Sequence, residues 1–329
     1  MKYNDILKLL ITLSKVKFCG KKIPLLVSWA LTSRCNLRCV YCGVWETPQK
    51  ELSTDVVIEK IVDFFQLGTR FISFTGGEPL LRDDLGKIIA YCKKKGIYVS
   101  VSSNGWDVKK KIDSLQKVDL LSLSIEGNRS VHDTIRQEGS YDKVLEAAEC
   151  ARRHNIPLNF AATLTRLNLD QIDFLLTTAQ SYQATITFQP LTTSLLYCAH
   201  QDNPLLPSFE EYSAAIKKLL ILKKKNIYIT NSSACLRHFA HWPGPYPLRC
   251  RADYFSCRVQ SSGDVCVCNR NQKTRINIVD NGVAEAFQRL VAGHCSSCWC
   301  AQRVEMSLLY GLHPEAIWNT GRMVLRKVV

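Results

Sequence analysis

The stretch from Leu31 to Trp45 reads LTSRCNLRCVYCGVW and places three cysteines within eight residues. They are Cys35, Cys39 and Cys42, in the spacing CxxxCxxC. Four thiolates close a structural zinc or iron–sulfur site, whereas three leave one metal position open. A disulfide framework, a zinc site and an iron–sulfur cluster are the three interpretations of this loop. The spacing favours a 4Fe–4S cluster with one iron free of protein ligands.

Composition indicates a globular chain that works in a reducing compartment. The chain has 329 residues, of which 46% are hydrophobic and 22% charged, and this length suits a barrel-sized domain with an extension. No apolar run approaches the roughly 20 residues of a membrane-spanning helix. The first residues, MKYNDILKLLITLSKVKF, lack a small-residue cleavage site. Fifteen cysteines without an export signal therefore predict metal-binding thiols and a cytoplasmic location.

The net charge of +14 comes from 43 Lys and Arg against 29 Asp and Glu. A field of that sign favours an anionic partner, such as a phosphorylated substrate, an acidic lipid surface or nucleic acid. The charges are scattered along the chain, so a solvated basic face explains them equally well. We expect the substrate, whose identity the charge does not specify, to be anionic. We predict no nucleic-acid partner.

Short β-rich segments alternate with amphipathic helical patterns six times. The predicted strands are Leu26–Thr32, Arg70–Thr75, Ile97–Ser102, Leu120–Ile125, Leu158–Leu164 and Thr185–Gln189. Such alternation predicts an α/β fold with parallel strands, either a barrel or an open doubly wound sheet. Both architectures collect their chemistry at the carboxyl ends of the strands. The cysteine loop follows the first strand directly, so it lies where a ligand site is expected.

Three motifs in order carry a resemblance to a known family. CNLRCVYC is followed by FTGGEPLLR at Phe74–Arg82 and by SSNG at Ser102–Gly105. Together they resemble the radical S-adenosylmethionine (SAM) superfamily over residues 23–189. The resemblance implies a partial (β/α)6 TIM-like barrel in which the three cysteines hold a 4Fe–4S cluster. Its open iron would bind SAM, which is cleaved to a 5′-deoxyadenosyl radical once an external donor such as flavodoxin or ferredoxin supplies an electron.

The same resemblance assigns SAM contacts at the first two motifs. Gly76, Gly77 and Glu78 resemble the segment that approaches the SAM amino group, where glycines let a backbone come close and a carboxylate accepts from an ammonium. Tyr41 resembles the aromatic residue whose backbone faces the adenine. An ordinary glycine-rich turn with a surface glutamate is the alternative interpretation.

Further SAM contacts are expected at the ends of the third and fourth strands. Ser102, Asn104 and Ser124 carry hydroxyl and amide groups suited to the ribose or the methionine carboxylate, or they merely cap strand ends. Glu126 stands where the family more often has aspartate, and its expected contact is the ribose or the substrate. Arg136 resembles an arginine that pairs with the SAM carboxylate.

A second group of cysteines lies near the end of the chain, with seven of the fifteen between Cys250 and Cys300. Twelve residues separate Cys250 from Gly263, four separate Gly263 from Cys268, and a CxxC pair follows. This pattern resembles the SPASM and twitch extensions of radical SAM enzymes, and it implies one auxiliary 4Fe–4S cluster. The expected ligands are Cys250, Cys268, Cys295 and Cys298.

Other metal assignments remain open in this cysteine-rich extension. Cys257, Cys266 and Cys300 compete as ligands, and a structural zinc ribbon also fits a hairpin followed by CxxC. The predicted organisation is an amphipathic N-terminal helix (1–22), a core barrel (23–206), a connecting helix and loop (207–249) and an auxiliary-cluster domain (250–329).

The sequence leaves three functions in competition. The leading expectation is hydrogen abstraction from an unactivated carbon of a small molecule, lipid or sugar, with net oxidation or bond formation, because no recognisable peptide-binding domain precedes Ile23. The alternative enzyme is a maturase of a ribosomally made precursor peptide. A non-catalytic iron–sulfur or zinc-stabilised binding protein is the third. The apolar face of residues 5–18, with Ile6, Leu9, Leu10, Leu13 and Val16, packs on the barrel or makes a peripheral membrane contact.

Overall fold

The computed structural model describes residues 12, 14–192, 203–246, 248, 250–268, 276–293 and 297–326. Its framework is one mixed sheet of nine strands in the order β6-β5-β4-β3-β2-β1-β7-β8-β9. The strands are β1 Leu26–Thr32, β2 Phe71–Gly76, β3 Tyr98–Ser103, β4 Leu120–Ser124, β5 Leu158–Leu164, β6 Thr185–Pro190, β7 Ser256–Val259, β8 Asp264–Cys266 and β9 Ile276–Asn277. Each of the six predicted strands is confirmed within one residue at either end.

Strands β1 to β6 are parallel and neighbour one another in chain order, which is the arrangement of a partial barrel. Helices connect them: α1 Thr54–Gln66, α2 Leu85–Lys94, α3 Arg129–Ile135, α4 Ser140–Arg153 and α5 Ile172–Ser181. The remaining helices are α6 Phe209–Lys225, α7 Ser233–Phe239, α8 Ala252–Phe255, α9 Ile278–Asn281, α10 Val283–Gln288, α11 Ala301–Tyr310 and α12 Pro314–Arg326. The α/β class is confirmed.

Local chemistry explains where these helices begin. The Ser53 side chain accepts a hydrogen bond from the Val56 backbone N–H and caps α1. Ser208 and Glu211 form the capping box expected at the start of α6. Each cap satisfies backbone donors that the helix itself leaves without partners.

The outer face of the sheet carries the main core. On β1, Trp29 is fully buried and meets Phe64 of α1 edge to face, with ring centroids 5.9 Å apart. Because side chains alternate across a strand, the residues between these core positions point to the opposite, inner face. Ser28, Ser73 and Ser100 occupy that face in register on three adjacent strands and are half-buried. Small hydroxyl side chains therefore line this part of the lumen.

The C-terminal segment extends the barrel sheet. Strand β7 pairs in parallel with β1, and β8 and β9 follow it as antiparallel strands. Helix α11 then contacts segments at both edges of the parallel strands. At the start of β7, Arg303 Nη1 donates to Ser256 Oγ. Glu305 Oε1 accepts from the Ser232 N–H, 2.6 Å away, ahead of α7. The strands of the predicted domains 23–206 and 250–329 therefore belong to one sheet. The division of the chain into these two domains stays a prediction.

Residues 14–19 are helical, as predicted for this part of the N-terminal segment. Val16 is fully buried in a cluster with Leu25 and Phe255, and Lys17 Nζ donates to the Tyr310 carbonyl oxygen at 2.8 Å. These contacts support packing on the barrel. The other four residues of the predicted apolar face, Ile6, Leu9, Leu10 and Leu13, lie outside the described residues. No helix in the described part is long and apolar enough to cross a membrane.

Candidate active site and metal centre

The three-cysteine loop begins where β1 ends and lies at the carboxyl edge of the parallel strands. Cys35, Cys39 and Cys42 are each half-buried. Burial is the main cause that raises the pKa of the Cys39 thiol to about 11, and Arg136 opposes it. Burial also raises the pKa of Cys35, and the neighbouring Cys42 thiol adds to the rise in the pKa of both Cys35 and Cys39. The sequence's three candidate ligands are therefore brought together.

The donor set of the loop consists of three thiols with two N–H groups near them. Within the described ranges, no three His, Cys, Asp or Glu side chains converge so as to hold one metal ion. In a cubane cluster each thiolate binds a different iron, so its ligands need not converge on one point. Asn104 Nδ2 lies 4.0 Å from Cys35 Sγ, and Arg136 Nη1 lies 3.9 Å from Cys39 Sγ. N–H groups near sulfur favour the thiolate and a negatively charged cluster.

The glycines of GGEP are required by the cysteine loop itself. A Cβ on Gly76 would lie 2.2 Å from the Thr32 carbonyl oxygen, and one on Gly77 would lie 2.0 Å from the Arg34 carbonyl oxygen. The Gly77 N–H donates to Thr32 O and the Glu78 N–H to Arg34 O, both at 2.8 Å. The two segments therefore fit together backbone to backbone, and this contact fixes where the cysteine loop starts.

Glu78 joins three parts of the site from a fully buried position. Its Oε1 accepts from Ser103 Oγ at 3.0 Å and from the Leu80 N–H at 3.1 Å, while Oε2 accepts from the Asn104 N–H at 2.8 Å. Burial raises the pKa of Glu78 to about 7, although these hydrogen bonds oppose the shift. The carboxylate thus ties GGEP to the SSNG segment, and its predicted contact with the SAM amino group stays a prediction.

Tyr41, Glu126 and Arg136 form one buried network next to the cluster site. Arg136 Nη2 lies 2.6 Å from Glu126 Oε1, which also accepts from Tyr41 OH at 2.7 Å. Glu126 Oε2 accepts from the Thr163 N–H at 3.0 Å. Burial raises the pKa of Tyr41 well above its ordinary value. For Arg136, burial acts to lower the pKa, but the neighbouring Tyr41 and Glu126 act more strongly in the opposite direction. The pKa of Arg136 is therefore raised.

This network bears on the SAM contacts predicted for its members. Both carboxylate oxygens of Glu126 accept hydrogen bonds inside the protein, and its side chain has no exposed surface. A contact of Glu126 with a ribose, or of Arg136 with the SAM carboxylate, would have to replace these hydrogen bonds or form in addition to them. Both contacts, and the adenine contact of Tyr41, stay predictions.

The structure adds His132, a residue that sequence reasoning missed. The Glu126 N–H donates to His132 Nδ1 at 3.2 Å, so the ring holds the backbone from which Glu126 projects. Burial, with help from Arg136, lowers the pKa of His132 to about 3, which keeps the ring neutral. The signal was present, because His132 and Arg136 are four residues apart in HDTIR and so share a helix face. Ser102 and Ser124 lie half-buried near the ends of β3 and β4.

Four of the C-terminal cysteines lie near one another. Burial is the main cause that raises the pKa of Cys298 to about 12, and Cys300, Cys250 and Cys268 add to it. These four thiols are therefore neighbours. His238 Nε2 donates to the Cys298 carbonyl oxygen at 2.7 Å and anchors their loop to α7. Cys295, a predicted ligand, lies outside the described residues.

Two of the competing cysteines are fully buried. Cys257 packs in the main core, where burial raises its pKa strongly. Cys266 is the last residue of β8, and burial raises its pKa to about 11. Because the strand ends there, strand alternation does not decide whether Cys266 and Cys268 face the same side.

Comparison with known proteins identifies the core. The family model described as the radical SAM superfamily matches residues 29–179. An AdoMet-dependent heme synthase from Methanosarcina barkeri is 34% identical over 157 residues, 45% of each chain. The mycofactocin maturase MftC from Mycolicibacterium smegmatis is 27% identical over 305 residues, which cover 85% of this chain and 76% of MftC.

Solved structures agree on the fold. Streptococcus suis SuiB bound to the precursor peptide SuiA superposes with a TM-score of 0.69 at 15% identity, over 87% of this chain and 70% of SuiB. Radical SAM enzymes use a 4Fe–4S cluster together with SAM, and the cysteine loop described above contains the three cysteines predicted to hold that cluster. Residues 29–179 of this chain are therefore a radical SAM domain.

Proposed function

We propose that this chain is a peptide maturase, which uses radical SAM chemistry to modify a precursor peptide. The observation that carries the proposal is the extent of similarity to MftC, which covers 85% of the chain, whereas the heme synthase match covers 45%. A match that covers 85% of this chain extends beyond the core into the C-terminal part. The expectation of a small molecule, lipid or sugar is therefore the less favoured reading.

The lining of the lumen supports a polar substrate. Ser28, Ser73 and Ser100 offer hydroxyl groups on its inner face, and Asn159 Nδ2 donates to Ser122 Oγ at 3.0 Å nearby. A peptide backbone supplies hydrogen-bond partners to such groups, whereas a lipid chain would desolvate them without compensation. Lipid is the class that this surface suits least.

The residues of the chain have separate tasks in this proposal. Cys35, Cys39 and Cys42 would hold the 4Fe–4S cluster, with the Asn104 amide and the Arg136 guanidinium directed at its sulfurs. When bound, the cluster and SAM supply the 5′-deoxyadenosyl radical that abstracts a substrate hydrogen. The protein positions the substrate and excludes water.

The auxiliary site would hold a second 4Fe–4S cluster. Cys250, Cys268 and Cys298 are candidate ligands, with Cys295 or Cys300 as the fourth, and zinc is the competing metal. A nearby cluster suits a reaction with net oxidation or redox-neutral bond formation, because it accepts an electron from the substrate radical. An external donor such as flavodoxin or ferredoxin would reduce the first cluster.

The test is turnover of a peptide by the reconstituted enzyme. Protein loaded anaerobically with iron and sulfide is incubated with SAM, a reductant and the product of any small open reading frame beside its gene. We expect 5′-deoxyadenosine and a mass change in the peptide. The Cys35→Ala/Cys39→Ala/Cys42→Ala variant should give neither, while Cys150→Ala, outside both cysteine groups, should match the wild type. Cleavage of SAM with turnover of a small molecule and no change in any peptide would overturn the proposal.

A further inference from the structure

A groove with a volume of about 620 Å³ lies on the outside of the barrel, at helices α1 and α2 and the loop before β4. Its apolar part consists of Ile58 of α1 and of Ala90 and Tyr91 of α2. Four lysines line the same space and define it as the lysine groove: Lys87, Lys93, Lys94 and Lys117. Pockets of about 300–1,000 Å³ hold ligands of several hundred daltons, so this groove has room for a few residues of a peptide.

The spacing of residues along α2 produces this surface. Lys87, Ala90, Tyr91 and Lys94 recur at intervals of three and four residues and therefore share one face of the helix. The protein core uses other positions of α2, which are Leu85, Ile88, Ile89 and Cys92. The groove face is therefore left to solvent, where Lys87 and Lys94 are exposed.

Three of the four ammonium groups are available to a ligand. The side chains of Lys94 and Lys117 are exposed and form no ion pair or hydrogen bond with the residues that the structure describes. Lys87 Nζ approaches Asp55 Oδ1 only to 3.7 Å, and both side chains are largely exposed, so this pair is weak. Lys93 is engaged, because its Nζ pairs with Asp119 and donates to the Ile97 carbonyl oxygen at 3.1 Å.

The charge of the groove requires an acidic occupant that this chain does not supply. Asp5 and Asp202 are the acidic residues in the parts of the chain outside the described ranges, so those parts contain no acidic run. A second copy of the chain is disfavoured, because two molecules of net charge +14 repel each other. An acidic peptide with interspersed apolar side chains matches both the lysines and the apolar part of the groove.

We propose that the lysine groove binds an acidic segment of the precursor peptide, outside the part that is modified. The inference rests on the proposed function and adds the chemistry by which the enzyme recognises its peptide away from the reacting carbon. Helix α2 has ten residues and is about 15 Å long, which an extended peptide spans in about five residues. Because α2 starts at the carboxyl edge of the strands, a peptide that follows it leads toward the side of the cysteine loop. Binding in the groove raises the effective concentration of the modified part there.

The experiment measures binding of acidic peptides to the holoenzyme. The probe is a short fluorescent peptide in which Glu alternates with Leu and Tyr, and its control replaces every Glu by Gln. Fluorescence anisotropy gives both dissociation constants for reconstituted enzyme with SAM. We expect the acidic peptide to bind at least about tenfold more tightly than its control, and added salt to reduce this preference. Lys94→Glu/Lys117→Glu should abolish the preference, and Lys94→Gln/Lys117→Gln should reduce it.

A matched control separates the groove from the net charge of the protein. Lys217→Glu/Lys224→Glu makes the same change in charge at exposed positions of α6 and should keep the preference. Iron content and thermal unfolding are measured for every variant, and if the Glu variant of the groove does not fold, the Gln variant decides. A wild-type preference in a folded groove variant, or an equal loss in the α6 control, overturns the inference. An RNA oligomer that binds the groove more tightly than the acidic peptide also overturns it.

Turnover of the precursor peptide distinguishes this inference from the proposed function. In the Lys94→Glu/Lys117→Glu variant, kcat/KM for the precursor should fall at least about tenfold, through KM and not through kcat, because the groove lies outside the barrel. An unchanged KM would overturn the inference and leave the proposed function intact. If the wild type modifies no peptide, the proposed function fails and this inference fails with it.

Discussion

Replacing Gly77 by alanine should separate the cysteine loop from the strand that positions it. Gly77 is not among the glycines with positive φ, so an alanine there is unstrained in its own backbone and its effect is steric. The new Cβ would lie 2.0 Å from Arg34 O and 2.8 Å from Ser33 O. Both contacts are with backbone, which cannot rotate away as a side chain does. We therefore expect the loop to move outward.

The magnitude follows from what this movement breaks. Two backbone hydrogen bonds join the segments at 2.8 Å, from Gly77 to Thr32 and from Glu78 to Arg34. Their loss costs about 1–3 kcal/mol, and overpacking adds about 1–3 kcal/mol, so the free energy of unfolding should fall by roughly 2–6 kcal/mol. The control is Gly321→Ala, because a Cβ at this helical position meets nothing within 4 Å.

Urea unfolding of the apo protein gives the stability change, and iron analysis with electron paramagnetic resonance reports the first cluster. We expect Gly77→Ala to lose about half of the iron and to stop cleaving SAM, whereas Gly321→Ala keeps both and gains up to about 1 kcal/mol. A Gly77→Ala protein with wild-type stability and a complete cluster would refute the argument that GGEP glycines are required by the cysteine loop.

Three further outcomes are expected. Glu126→Gln leaves the buried guanidinium of Arg136 without its carboxylate and should lower the free energy of unfolding by about 3–5 kcal/mol. The control Glu285→Gln, at an exposed ion pair, should lower it by less than about 0.5 kcal/mol. Equal losses for the two variants in urea titrations would contradict this prediction. The folded state raises the pKa of Glu78 from 4.5 to about 7, so it holds a proton that the unfolded chain has lost. The free energy of unfolding should then fall by roughly 3 kcal/mol as the pH rises from about 4.5 to about 7. The Glu78→Gln variant should lose this pH dependence, and a flat pH profile of the wild type would contradict the prediction. Reconstituted wild-type protein should hold about eight irons, and the Cys298→Ala variant should hold about four and still cleave SAM. Four irons and stoichiometric zinc in the wild type would contradict the proposed auxiliary cluster.

Local patterns were sufficient for the parallel core. The six strands follow from short apolar runs bounded by turn residues, and α6 follows from the Ser208 capping box, so each signal lies within a few residues of the element that it predicts. The cysteine loop was placed correctly at the end of β1 for the same reason. These features depend on neighbours in the chain.

The pairing of β7 with β1 depends on contacts that no local pattern encodes. Ser28 and Arg258 are 230 positions apart, and nothing near either residue indicates that they lie side by side. The sequence therefore predicted a separate metal-binding unit and missed the pairing of Arg258 with Ser28. The buried pair of Glu126 and Arg136 was missed in a similar way, because each residue was considered only as a contact to SAM.

The register between β1 and β7 makes the C-terminal segment a continuation of the barrel sheet. A chimera that exchanges residues 250–329 for the equivalent segment of another enzyme would also exchange Arg258 and the helix whose Arg303 and Glu305 join the two sides of the barrel. Such an exchange alters the sheet beside β1 at the same time as the proposed second metal site. A change in residues 250–329 therefore changes the edge of the barrel sheet beside β1 together with the proposed auxiliary centre.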